Sequence, residues 1–229
     1  MLSTRRLARL GLCLFICALG CASQRPLVQT QTFGPSPGGG YPFKRIAVMP
    51  FFPDPSLARD AANANRGPLE EDWAIAATVS RAVSMALVDR GAIVTPPSEM
   101  ELSFQGEGVA TPRLDAKAAA ALASRNFRVD AVLLGTVTRW RDRSGERAGS
   151  ERPASVAFRV SLHKAPDGER LWQAIFDETQ PTVSANLFRV SRYPGRGTRW
   201  LSAAELARFG ASEVAESLLG PKVELAPEP

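Results

Sequence analysis

Cysteine is scarce and poorly placed for structure: the 229 residues contain three, Cys13, Cys17 and Cys21, and none beyond. No disulfide framework can form in the body of the chain. A single histidine, His163, leaves the common zinc ligand sets without members. His163 stands at the end of an alternating strand next to Lys164, without the further groups that a catalytic dyad or a zinc site needs, and is expected to be structural or solvent-exposed. The glycines offer no phosphate loop, because Gly38-Gly39-Gly40 precedes a strand pattern and lacks a following Lys-Ser/Thr pair. Long apolar runs are missing as well. Leu10–Leu19 is about half of the ~20 residues that cross a bilayer as a helix. Charge of one sign does not dominate either: Lys and Arg number 28 against 23 Asp and Glu, a formal net charge of +5. Three of those cations, Arg5, Arg6 and Arg9, lie at the extreme front, and without them the balance is about +2. No nucleic-acid partner and no cofactor are expected, and no constellation identifies an enzyme.

What is present begins with a basic stretch, the apolar run, and then Ala18-Leu19-Gly20-Cys21 followed by Ala22-Ser23-Gln24. The order is that of a secretory signal. Its end resembles the lipobox of bacterial lipoproteins, although Ala18 stands where leucine is commoner; an ordinary signal peptide is the alternative. In that family the cysteine sulfur receives a diacylglycerol, the chain is cut just before it, and the new amino terminus is acylated. The resemblance implies lipidation at Cys21, the one covalent group expected. It implies export and attachment to the membrane. With Ala22 in place of an acidic residue, it points to the periplasmic face of the outer membrane. Each buried methylene contributes about 0.8 kcal/mol, so two or three acyl chains hold a protein permanently.

Residues 1–20 are thus expected to be signal, and 21–43, rich in Pro, Gly, Ser, Thr and Gln, a flexible tether. Residues 44–220 should form one domain, with 221–229 a disordered tail. Within the domain, Arg45–Met49 reads as a buried strand closed by Pro50. Leu69–Arg90 reads as a helix with Glu70, Glu71 and Asp72 at its positive end and Trp73, Ala76, Ala77, Val83, Met85, Leu87 and Val88 at mostly helical spacing. Ala92–Thr95 is a second strand, Leu114–Asn126 a second helix, and Val129–Val137 a central strand covered on both faces. Ser155–Leu162 alternates strictly and pairs across Pro166-Asp167-Gly168 with Arg170–Glu178. Ser202–Leu219 opens with a capping box from Ser202 to Glu205. The expected fold class is α/β (α+β): a mixed sheet, β-α-β-α-β, then an antiparallel hairpin and a C-terminal helix, three helices in all.

Arg45-Ile46-Ala47-Val48-Met49-Pro50-Phe51, Val129-Asp130-Ala131-Val132-Leu133-Leu134-Gly135-Thr136-Val137 and the hairpin ending Asp167-Gly168-Glu169-Arg170-Leu171-Trp172 resemble a group of envelope proteins. That group includes the curli-secretion lipoprotein CsgG, the penicillin-binding-protein activator LpoB and the N-terminal domain of TolB. The likeness covers about residues 44–176. It implies a non-enzymatic accessory lipoprotein that binds another envelope protein. Pore-forming members need apolar membrane-crossing hairpins. Here the connection Arg139-Trp140-Arg141-Asp142-Arg143-Ser144-Gly145-Glu146-Arg147 is too charged for that, which disfavours a subunit of an outer-membrane export assembly.

Two arginine groups remain. Arg139, Arg141, Arg143 and Arg147 surround Trp140, and such a cluster is either a solvated surface or a site for peptidoglycan, lipopolysaccharide or anionic lipid. The stretch Glu178–Trp200 is long for a plain connection. It carries Phe188, Arg192, Tyr193 and Trp200, the candidate contacts for a partner protein.

Overall fold

A computed structural model describes residues 27–33, 43–55, 57, 70–108, 115–146, 149–180 and 200–220, with the side chains of 145, 146 and 149–151 left out. The strands are β1 (Val28–Thr32), β2 (Arg45–Val48), β3 (Phe52–Pro53), β4 (Ile93–Thr95), β5 (Ala131–Arg141), β6 (Ser144–Glu146), β7 (Gly149–Arg152), β8 (Ser155–Lys164) and β9 (Arg170–Thr179). The helices are α1 (Glu70–Val88), α2 (Pro97–Gly106), α3 (Ala116–Phe127) and α4 (Ala203–Leu219). Seven strands form one mixed sheet in the order β1-β9-β8-β5-β2-β4, with β3 also on β5; β6 and β7 make a separate hairpin. β2 runs parallel to β4 and β5, while β5-β8-β9-β1 are antiparallel. This is the expected α+β class with its C-terminal helix.

The alternation in β8 does what its pattern demands. Val156, Phe158, Val160 and Leu162 point into the main core with Trp172, Ala174 and Phe176 of β9. α1 and α4 cover that face. Small residues at their buried positions, Ala76, Ser80 and Ala86 on α1 and Ala203, Ala207, Gly210, Ala211 and Ala215 on α4, allow close approach. Burial of each large side chain here, such as Phe51, Phe158 or Phe176, contributes roughly 1.5–3 kcal/mol. On the opposite face, Ala47, Met49 and Val132 pack under Met100 and Phe104 of α2 and Ala119, Ala120 and Ala123 of α3.

The helix ends follow their caps. Asp115 Oδ1 accepts from Ala118 N at 2.7 Å to start α3. Ser202 and Glu205 form the reciprocal capping box of α4. α1 stops three residues before Gly91, whose φ of +86° suits glycine.

Four features differ from the sequence expectations. Val28–Thr32 lies inside the stretch expected to be tether, yet pairs with β9 from Val28↔Phe176 to Thr32↔Trp172. Its Val and Thr residues suit an edge strand, and Arg170 stacks over the Phe33 ring at 4.1 Å to close it. α2 adds a fourth helix among the described residues. Pro97 sits in its first turn, where a missing N–H costs nothing. Trp73, Ala77, Met85 and Val88 of α1 are exposed. Apolar residues occupy more than one face of that helix, so spacing alone does not select the inward one. Finally, Arg139 and Arg141 belong to β5, and the hairpin β6–β7 follows where a plain charged connection was expected.

Candidate functional site

Cys21, Arg147, Phe188, Arg192 and Tyr193 lie outside the described residues. Trp200, grouped with the last three as a partner contact, is only 6% exposed. The next residue is pinned to the sheet, since Leu201 N donates to Gln180 Oε1 at 2.7 Å and Gln180 N to Ala154 O at 3.0 Å. Its indole is held inside the fold and is not presented to a partner.

Arg139, Arg141 and Arg143 meet at one end of the sheet, and a register shift in β5 decides how they point. Up to Val137 the odd positions Ala131, Leu133 and Val137 enter the main core. Between Val137 and Arg139 the pairing slips, so that Arg139 faces Ala157, Trp140 faces Val156 and Arg141 faces Ser155. A one-residue slip exchanges the two faces of a strand. Trp140 therefore packs against the core, and the two arginines take the opposite face.

Polar contacts at this end are specific. Arg139 Nε donates to Ser155 Oγ at 2.6 Å, its Nη2 pairs with Asp177, and Ser155 Oγ lies 2.6 Å from Thr179 Oγ1. Asp142 Oδ1 accepts from Arg143 N at 2.8 Å and from Ala203 N, the first residue of α4, at 3.0 Å. A carboxylate at a helix N-terminus is favourably placed. Arg141 is exposed and makes no ion pair among the described residues. Arg143 Nη1 is buried without a hydrogen-bond partner.

A second feature had no sequence signal. An open groove of about 640 Å³ runs beside α1, lined by Pro50, Ala74, Ala77, Met85, Pro96 and Pro97, with Arg81 and Glu101 among its polar residues. Met85 is 66% exposed beside it, and Leu102 of α2 is equally exposed. At the head of α1, Trp73 meets Phe52 edge-on at 5.8 Å.

His163 is buried at the β8–β9 turn, with Nδ1 3.0 Å from Gly168 O and Nε2 3.0 Å from Ser161 Oγ. Burial, offset by the Gly168 carbonyl and reinforced by Arg170, holds its pKa below the ordinary histidine value. Glu213 on α4 titrates above the ordinary carboxylate range through burial and the neighbouring Glu216, against the pull of Arg90. Among the described residues, no three His, Cys, Asp or Glu side chains gather as a metal site. No described helix is long and apolar enough to cross a membrane.

No family model matches the chain, and no curated protein matches it by sequence. Solved structures similar to it include the PelC dodecamer from Paraburkholderia phytofirmans, 17% identical over 84% of this chain and 92% of that one, TM-score 0.37. Lipoprotein GNA1162 from Neisseria meningitidis is 18% identical over 61% of this chain and 82% of that one, TM-score 0.39. The LpoB C-terminal domain from Escherichia coli is 16% identical over 62% of this chain and 87% of that one, TM-score 0.35. At these values the likenesses say nothing about what this chain binds or does.

Proposed function

We propose that the chain is an exported lipoprotein, acylated at Cys21, whose α+β domain acts without catalysis as an adaptor docking onto another envelope protein. The observation that carries the docking role is the outward side of α1. Large apolar side chains, Trp73, Met85 and Val88, stay exposed there. Between α1 and α2 lies a groove with an apolar floor. Exposed apolar surface of this kind beside charged groups marks contact sites in monomeric proteins. The partner it fits inserts apolar side chains between the two helices and meets Arg81 and Glu101 with opposite charges. The lipobox resemblance supports the membrane anchor and the periplasmic location.

A photo-crosslinking side chain at Met85, in the full chain in intact cells, tests this. One envelope protein should be captured reproducibly, and far more than from a control position at Arg159 on the opposite sheet face. Purified, that partner should bind the Met85→Glu chain roughly ten-fold more weakly, with melting unchanged. Equal capture from both positions, or binding indifferent to Met85→Glu, overturns the docking role.

A further inference from the structure

We propose that the end of the sheet carrying Arg139, Arg141 and Arg143 rests on the membrane, where the exposed guanidinium of Arg141 binds the phosphate of an anionic lipid headgroup. This rests on the acylation of Cys21 proposed above. The strand register supplies the geometry. Val28 lies level with Phe176, Phe176 with Phe158, and Phe158 with Val137. β1 descends from there toward Trp172, so the chain before Val28 enters from the side of the sheet on which β5 continues to Arg141.

Seven Cα–Cα steps lead from Cys21 to Val28, a span of at most about 25 Å. Because of the slip after Val137, Arg141 stands three rungs beyond the level of Val28, roughly 10 Å along the strand, and three strand spacings to the side, about 14 Å. The anchor therefore cannot extend much more than about 15 Å past the arginine end. That is less than two of the ~8–10 Å Debye lengths at physiological salt. Without β1, a tether of 21–43 would let the domain roam; with β1 on β9, this end is held where headgroup charge is felt.

At the same end Arg141 is left without an ion-pair partner among the described residues. Asp177 is engaged by Arg139, and Asp142 by two backbone N–H groups. Neither forms an ion pair with Arg141, whose guanidinium is exposed; the Nη1 of Arg143 is buried and does not face the lipid. A guanidinium presents paired donors that match a phosphate. Lipid phosphates are the anions within reach of the anchor.

The test uses the full chain, extracted from membranes in detergent and reconstituted into vesicles of phosphatidylcholine alone or in an equal mixture with phosphatidylglycerol. Amide hydrogen exchange over residues 139–143 should be several-fold slower in the mixed vesicles at low salt. The difference should shrink as salt rises, disappear in Arg141→Glu, and persist in Arg141→Lys. Arg141 is exposed, so its replacement spares the fold. Exchange independent of lipid composition, or unaffected by Arg141→Glu, overturns the inference. The intact mass of the same sample separates the two claims. An acylated chain whose exchange ignores phosphatidylglycerol removes the arginine contact and leaves the lipoprotein reading. An unmodified Cys21 removes the lipoprotein reading; the chain then sediments with the mixed vesicles alone if the arginine contact stands, and with neither if it falls.

Discussion

His163 shows how one side chain reports its surroundings. Its Nδ1 faces the Gly168 carbonyl, which only accepts, so Nδ1 carries the proton and Nε2 accepts from the Ser161 hydroxyl. That is the neutral ring, and protonating Nε2 would turn an acceptor into a donor in a buried turn. Burial is the main reason its folded pKa lies below the unfolded value near 6.5. The native state thus binds fewer protons than the unfolded chain in that window. Its contribution to stability is fully present above pH 6.5 and is lost as pH falls through the folded pKa. Melting followed from about pH 7.5 to about 5 should therefore decline more steeply for the natural chain than for His163→Gln. Parallel declines would show that the ring is not the group responsible.

Among elements, the motif residues that carried the family resemblance turn out to be joints between strands. Asp130 Oδ2 accepts from Lys44 N and Arg45 N at 3.1 and 3.0 Å, and its backbone N donates to Arg45 O. It thereby fastens the start of β2 to β5. Phe51 lies flat on Gly135, where any added Cβ would stand 2.4 Å from the ring. Gly135→Ala should cost about 1–3 kcal/mol by overpacking, and Phe51→Leu should return part of that loss. Equilibrium denaturation of the two single variants and the double variant would measure this, and purely additive losses would contradict the contact.

The same level explains what the residues disclosed. β2, β5, β8, β9, α1, α3 and α4 were legible because their periods were regular and Gly, Pro or capping residues marked their ends. β1 was not, because its Gln and Thr residues carry no apolar pattern and it becomes a strand only by pairing with β9. α2 was hidden behind Pro96-Pro97, with only Met100 and Phe104, four residues apart, to announce a buried side. The arginine cluster could be named from the sequence. The slip after Val137 that turns Arg139 and Arg141 away from the core could not, since nothing in the residue order marks it. The α1 groove was hidden for a related reason: Met85 and Val88 have core-like chemistry, and only the packing of α4 assigns them to the outside.

At the scale of the whole molecule, the placement of β1 divides the leading segment into two lengths of chain with different physical consequences. With Cys21 acylated as proposed, residues between Cys21 and Val28 set how far the domain stands from the lipid, while those between Phe33 and Phe43 connect β1 to β2. A flexible Gly/Ser insertion of about 20 residues adds reach on the order of 25 Å wherever it is placed. Inserted between Ser23 and Gln24, it dilutes the sheet end relative to the bilayer and lowers the effective concentration of headgroups around Arg141. Inserted between Gly38 and Gly39, it lengthens the connection from β1 to β2, at a small entropic cost that grows only with the logarithm of length. The exchange protection of residues 139–143 in phosphatidylglycerol vesicles should therefore fall with the first insertion and survive the second. If both insertions lowered protection alike, Val28–Thr32 would not be pinned to β9 in the anchored protein, and the whole leading segment would act as one free tether.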